Sequence, residues 1–166
     1  MLFGGGKNMQ NEQVKLEEKK VVVFRLDNEE YAIEVEQVRS IEPLQPITRV
    51  PHTPPFVKGV INLRGVVTPV IDLRRRFNLD ETDDTSTTRI IIVVAGEMEA
   101  GLIVDAANDV INIPVDGIEP PPEVVGGVMA DYVRGVVRLE NRLLTLLNLE
   151  HVLSHHNQTN KIEETS

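Results

Sequence analysis

Residues 56–73 read FVKGVINLRGVVTPVIDL, and residues 132–149 read YVRGVVRLENRLLTLLNL. The two stretches align without a gap at an offset of 76. Five of the eighteen columns are identical: Val57/Val133, Gly59/Gly135, Val60/Val136, Leu63/Leu139 and Leu73/Leu149. Seven more exchange like for like, among them Phe56/Tyr132, Lys58/Arg134, Val67/Leu143 and Asp72/Asn148. Each copy places two strand-length apolar runs around a two-residue turn, Arg64-Gly65 or Glu140-Asn141, and so reads as a β-hairpin. Gly65 and Asn141 are residue types that tolerate the positive φ such a turn demands. The side chain just before each is exposed by the turn itself: a guanidinium in the first copy, a carboxylate in the second. Opposite charge at equivalent tips suggests that the two halves acquired different partners. Two hairpins under the same turn constraints converge to some extent, but the ungapped glycine and the ordered flanks favour duplication.

Working outward, a weaker echo pairs Ile33-Glu34-Val35-Glu36 with Leu102-Ile103-Val104-Asp105 at an offset of 69. The second half therefore carries about seven extra residues, which fall in the Pro- and Gly-rich stretch Ile113–Asp131. Short β-branched runs bounded by Gly, Pro, Asn or Asp predict strands at Val21–Leu26, Tyr31–Val35, Val57–Leu63, Val66–Ile71, Arg89–Ala95, Gly101–Val104, Val133–Leu139 and Arg142–Leu147. Helical pieces are expected only at Glu36–Arg39, Leu73–Phe77 and Asn148–Leu153. The fold class is all-β: two duplicated units of about five strands, each too small to bury a core as a flat sheet and so curled into a barrel. The units are expected to form two intertwined barrels within 21–153, roughly centred on residues 21–88 and 89–153 and joined across the polar run Asp80–Thr88, with a flexible leader at 1–20 and a disordered tail at 154–166.

Composition narrows the function. The chain has 166 residues, with 17 Lys+Arg against 26 Asp+Glu, a net charge of −9. That size fits one domain, or two small units sharing a core. The acidic balance and an aromatic content of 4% argue against nucleic acid, which rewards neutralised phosphates and stacked bases. There is no cysteine, which excludes disulfides, thiolate zinc sites and thiol nucleophiles. No apolar run reaches the roughly 18 residues of a membrane span, and the start lacks a secretory layout. A cytoplasmic protein with no direct membrane insertion is expected.

Candidates for chemistry are few. His52, flanked by Pro51 and Pro54-Pro55, reads as a surface loop residue. His151 and His155 would share a helix face, yet only Glu150 could help them hold a metal, so none is assigned. Asp80, Glu81, Asp83 and Asp84 lack the spacing of a calcium loop, and Gly126-Gly127 does not make a phosphate cradle. No Gly-x-Ser-x-Gly elbow occurs. Neither an enzyme nor a cofactor is supported, which leaves binding. Residues 49–76 carry a net charge of +5, whereas residues 97–131 hold eight acids and no Lys or Arg. Surfaces of opposite sign steer distinct protein partners. The insertion from Pro120 to Met129 adds apolar side chains that serve either as a contact site or as a cap on the second barrel.

The run Thr53–Gly65, with Pro69 and Asp72-Leu73 beyond it, resembles the signature of the CheW chemotaxis coupling family. Tyr31–Ile41, Gly101–Asp105 and Tyr132–Leu153 extend the likeness across roughly residues 20–153. The resemblance implies two five-stranded SH3-like barrels. It also implies a non-catalytic scaffold that couples the cytoplasmic tip of methyl-accepting chemoreceptors to the regulatory domain of the chemotaxis histidine kinase. Receptor contacts then fall on Val38, Asn62, Arg64 and Gly65, in a groove between the barrels, and kinase contacts on Glu119, Val124 and Val125. Ser40 stands where the family often has Glu, and Glu119 where some members have Arg. The same domain also occurs fused to a receiver and as the tail of the kinase, and a chain ending at Ser166 suits the stand-alone coupler. A cytoplasmic location at membrane-associated receptor arrays follows. The competing reading is a small-molecule-binding β-barrel that uses the groove between the halves.

Overall fold

A computed structural model describes residues 17–125 and 128–154 of the chain. The strands are β1 (Glu18–Leu26), β2 (Glu29–Glu34), β3 (Val38–Pro43), β4 (Val57–Leu63), β5 (Val66–Asp72), β6 (Arg89–Ala95), β7 (Met98–Val104), β8 (Ala106–Pro114), β9 (Ile118–Glu119), β10 (Val124–Val125), β11 (Val128–Met129), β12 (Val133–Leu139) and β13 (Arg142–Leu147). Two short helices, α1 (Leu73–Arg76) and α2 (Leu149–Leu153), follow β5 and β13. The first sheet runs β3-β6-β7-β5-β4, and the second runs β8-β1-β2-β13-β12-β9.

Each sheet closes because one bent segment supplies both of its edges. In the second sheet β8 pairs with β1, and after a 3-10 turn at Val115–Gly117 the same segment, now β9, pairs with β12. In the first sheet β3 pairs with β6, and its continuation reaches the far edge at Thr48, whose N–H and carbonyl bond Val60 at 2.9 and 2.8 Å. Counted as one bent strand, β8–β9 leaves five strands in each barrel. Closure removes the unpaired edges that a short open sheet would expose.

The uninterrupted apolar runs are explained by burial on both faces. In β1, Val21 and Val23 enter the core inside the second barrel, while Phe24 and Leu26 enter a central core between the barrels. In β6, Ile90 and Ile92 fill the first barrel, while Ile91, Val93 and Ala95 face the centre. The same alternation splits β2 and β7: Ala32 and Ile103 point into their barrels, whereas Tyr31, Ile33, Leu102 and Val104 point to the centre. Side chains from both halves thus build one shared core between the barrels.

The duplication is visible in detail. Asp72 and Asn148, exchanged between the copies, cap α1 and α2 with their side chains, and their own N–H groups donate to the carbonyls of Phe56 and Tyr132 at 2.8 and 2.9 Å. Gly59 and Gly135 sit at equivalent register shifts where the closing segment crosses. A Cβ on Gly59 would lie 2.2 Å from the Thr48 carbonyl oxygen; one on Gly135 would lie 2.7 Å from that of Glu119.

The halves, however, are exchanged. The β1–β2 hairpin belongs to the barrel of β12–β13, and β6–β7 to the barrel of β4–β5. The first barrel is therefore built from 38–104 and the second, discontinuously, from 18–34 with 106–147, so that the two intertwine. Strand pattern specifies a hairpin but not which of two equivalent sockets receives it. Three local expectations also change. Glu18–Lys20, assigned to the leader, extend β1, because β8 offers a ladder as far as Pro114. Glu36–Arg39 is not a helix: a 3-10 turn at Val35–Gln37 leads into β3, which is pulled straight by pairing with β6. Asn141 does not use positive φ; the described non-glycine residues that do are Asp27, His52, Arg64 and Asn78.

Two arginines lock the barrels together. Arg74 on α1 pairs with Asp27 at the β1–β2 turn and with Asp105 at the β7–β8 junction, at 2.6 and 2.5 Å, and donates to the Asp80 carbonyl at 2.7 Å. These contacts, led by the hydrogen bond to Asp105, raise the guanidinium pKa above its usual range. Arg76 lies between the rings of Phe56 and Tyr132 and donates to the carbonyls of Val152, His151 and Ser154 at the end of α2. Burial lowers its pKa.

Tyr31, stacked on Phe24, has its phenol pushed up to about 12, mainly by burial and then by Glu29 and Asp27. A raised folded-state pKa stabilises the fold below the unfolded value near 10, and that contribution is lost as pH rises through about 12. Unfolding free energies from urea titrations across that window should fall by about 2–3 kcal/mol, and Tyr31→Phe should flatten the decline. An identical alkaline slope in the variant would assign it to other groups.

Candidate functional site at the first hairpin tip

The β4–β5 hairpin ends on the pair Leu63/Val66, leaving Arg64 and Gly65 as a two-residue turn. Their φ angles, 52° and 86°, are those of a type I′ turn, which matches the right-handed twist of the strands. The turn is closed from within: the Gly65 N–H donates to the Asn62 Oδ1 at 2.8 Å. Asn62 therefore shapes the tip, and Gly65 supplies a conformation that costs other residues free energy. Arg64 occupies a left-handed conformation too, although a long side chain gains nothing from it and asparagine would suit it better. Its guanidinium stands 72% exposed and reaches the largely buried Glu42 carboxylate on β3 at 3.4 Å. Val66 and Val67, just beyond the tip, are 57% and 66% exposed, a large apolar area for so small a hairpin.

Beside the tip lies a groove of about 630 Å³. Arg64 and Arg39 contribute cations to its walls, while Leu63, Val66 and Ile92 make its apolar portion. Arg39 reaches Glu99 at 3.8 Å, so each groove arginine has an acid within the first barrel. All of the lining comes from that barrel, not from the junction with the second. Val38 sits immediately before Arg39 but packs, half-buried, against the central core. Of the four expected receptor positions, Asn62, Arg64 and Gly65 form one tip, and Val38 anchors the strand that faces it.

The residues expected to contact a kinase lie elsewhere. Glu119, on β9, is exposed and reaches Arg138 at 3.4 Å. Val124 and Val125 form β10, paired with β11; their side chains lie outside the described residues, as do Gly126 and Gly127. The neighbouring Val128 is fully buried in the central core, so this part of the insertion serves as a cap. The second tip bears Glu140, exposed. The basic segment is less basic at the surface than its sequence suggests, because Arg74 and Arg76 are both buried. A run of three arginines reads as a solvated face, and nothing local reveals partners found across the fold. His52 is an exposed loop residue at φ 64°; His151 begins a pair whose other member, His155, lies outside the described residues. Among the described residues no three His, Cys, Asp or Glu side chains converge to hold a metal ion, and no helix is long and apolar enough to cross a membrane. What the tip offers is directional contact: one exposed cation beside exposed aliphatic surface.

The CheW-like domain profile matches residues 20–157. The chain belongs to the CheW-like domain family. Chemotaxis protein CheW of Bacillus subtilis is 51% identical over 134 residues, covering 81% of this chain and 86% of that protein. Chemotaxis protein CheW of Klebsiella aerogenes is 37% identical over 133 residues, covering 80% of each. Among solved structures, the scaffolding protein TtCheW of Thermoanaerobacter tengcongensis superposes with a TM-score of 0.77 at 38% identity, covering 83% of this chain and 89% of that one. The CheW-like fold here is the all-β, two-barrel architecture expected from the repeat.

Proposed function

We propose that the chain is a chemotaxis coupling adaptor, which joins methyl-accepting chemoreceptors to the regulatory domain of the chemotaxis histidine kinase so that receptor state controls autophosphorylation. The family relationship supports the adaptor role, and the relatives' shared designation as chemotaxis proteins supports the pathway. Its place of work is the cytoplasm, at membrane-associated receptor arrays. It acts by contact and carries no catalysis of its own. The receptor surface is the Asn62-Arg64-Gly65 tip with Val38 behind it; the kinase surface includes Glu119, Val124 and Val125.

The observation that carries the receptor assignment is the backbone of Arg64. A non-glycine residue with φ near 52° is held against a local cost of about 1 kcal/mol, and one exposed ion pair to Glu42 is a small return for it, which supports a use of the guanidinium outside the fold. Stability and binding should therefore move in opposite directions in one variant. Arg64→Asn is expected to raise the unfolding free energy by about 0.5–1 kcal/mol, the relieved strain less a surface ion pair. The same variant should lower co-sedimentation with a soluble receptor signalling fragment. Arg64→Glu should abolish recruitment and, with it, receptor control of kinase autophosphorylation, while leaving the folded spectrum intact. Full recruitment by Arg64→Glu would remove the tip from the receptor surface. Failure of the wild-type chain to bind either receptor or kinase would remove the adaptor reading itself.

A further inference from the structure

We propose that the groove formed by the loop between β3 and β4 binds an acidic peptide segment of a protein partner, held by Arg49 and Lys58. The groove encloses about 600 Å³ and shares no residue with the one beside Arg64. Its walls carry three permanent cations, Arg49, Lys58 and Arg75, and no carboxylate, on a chain whose net charge is −9. Arg75 is already engaged, with Glu81 and with the Pro55 carbonyl, both at 3.1 Å. The side chains of Arg49 and Lys58 make neither an ion pair nor a hydrogen bond; among the described Lys and Arg residues only Lys20 and Arg25 share that state. Lys58 also borders the acidic loop at Glu81–Asp84, yet no carboxylate comes within ion-pairing distance of it. A chain rich in acids has thus left two cations unneutralised in a single concavity.

The shape of the groove selects the anion. Pro51, Pro54 and Pro55 line it and supply no N–H, so it lacks the converging amides that cradle a phosphate. No Phe, Tyr or Trp is present to stack a base, and the acidic chain as a whole repels a polynucleotide. Val50, 37% exposed, gives an aliphatic wall beside the cations. Carboxylates spaced along a peptide suit cations carried on separate elements with apolar surface beside them.

The test uses the full chain and a fluorescein-labelled hexaglutamate peptide, followed by anisotropy. Saturable binding that weakens with salt is expected. The double variant Arg49→Glu/Lys58→Glu should weaken it by about 10-fold or more, whereas Lys20→Glu/Arg25→Glu, an equal change of charge at the other two unpaired cations, should change it by about 2-fold or less. Arg49→Ala/Lys58→Ala guards against misfolding on charge reversal and should lose binding with an unchanged circular dichroism spectrum. Arg64→Glu should bind the peptide as wild type does. Equal losses from both charge-reversal doubles would reduce the effect to net charge and overturn the proposal. So would the absence of saturable binding by the wild-type chain, or full displacement of the peptide by inorganic phosphate at the same anion concentration, which would make this a small-anion site.

Discussion

Gly59→Ala is expected to lower the unfolding free energy by about 3–4 kcal/mol, read as a shift of the urea midpoint with little change in slope. The added methyl would stand 2.2 Å from the Thr48 carbonyl oxygen and 2.8 Å from the Ile47 Cγ2. The first of these is backbone, held by the paired hydrogen bonds between Thr48 and Val60, so it cannot step aside without opening the barrel. Gly135→Ala should behave in the same way, against the Glu119 carbonyl at 2.7 Å and the Ile118 Cγ2 at 2.6 Å. Gly65→Ala is the contrast: nothing lies within 4 Å, and the loss is only the roughly 1 kcal/mol of a side chain forced to φ 86°. If Gly59→Ala and Gly65→Ala cost the same, close approach at the closing segment is not what the repeated glycine provides.

Arg76→Ala should be about as damaging, at roughly 3–5 kcal/mol. The guanidinium is the donor for three carbonyls at the end of α2, and its face lies 3.9 Å from the centre of the Phe56 ring. No carboxylate shares the site among the hydrogen bonds described, so truncation strands acceptors rather than a charge. Arg76→Lys keeps the charge but replaces a planar fork with a point donor, and it should recover less than half of the loss. Amide exchange in α2 should accelerate in both variants, since Arg76 on α1 is the group that pins that helix across the two barrels. Unfolding midpoints within about 0.5 kcal/mol of wild type would show that water satisfies those carbonyls equally well.

The residues that announced themselves in the sequence are those whose neighbours in the chain explain them. Val57–Leu63, Arg89–Ala95, Val133–Leu139 and Arg142–Leu147 were legible to the residue, because β-branched runs between turn signals have few other uses. The same holds for Asp72 and Asn148, which stand directly before the short helices they cap. By contrast, β3 and β8 escaped: Val38–Pro43 has no fully buried residue, and Ala106–Pro114 mixes Ala, Asn and Asp with its apolar positions. Both are outer segments whose extended form is imposed by β6 and β1. The tip at Arg64 could be placed from sequence, but its left-handed backbone could not, since arginine is not a residue that advertises that conformation. The destinations of Arg74 and Arg76 were hidden for a different reason. Their partners at Asp105 and Val152 are 31 and 76 residues away, beyond the reach of any local pattern.

The exchange of the β1–β2 and β6–β7 hairpins has a consequence for how the molecule came to be, and for how it comes apart. A single ancestral copy, with one of each element, could close its barrel with its own hairpin or lend that hairpin to a twin. The present chain is the second arrangement made permanent, a swapped pair of twins joined end to end by the Asp80–Thr88 tether. Neither barrel is then expected to melt alone, because pulling a hairpin out of one drags the strands that frame the other. Two small folds that would each be marginal are thereby tied together, and a single cooperative melting transition is expected.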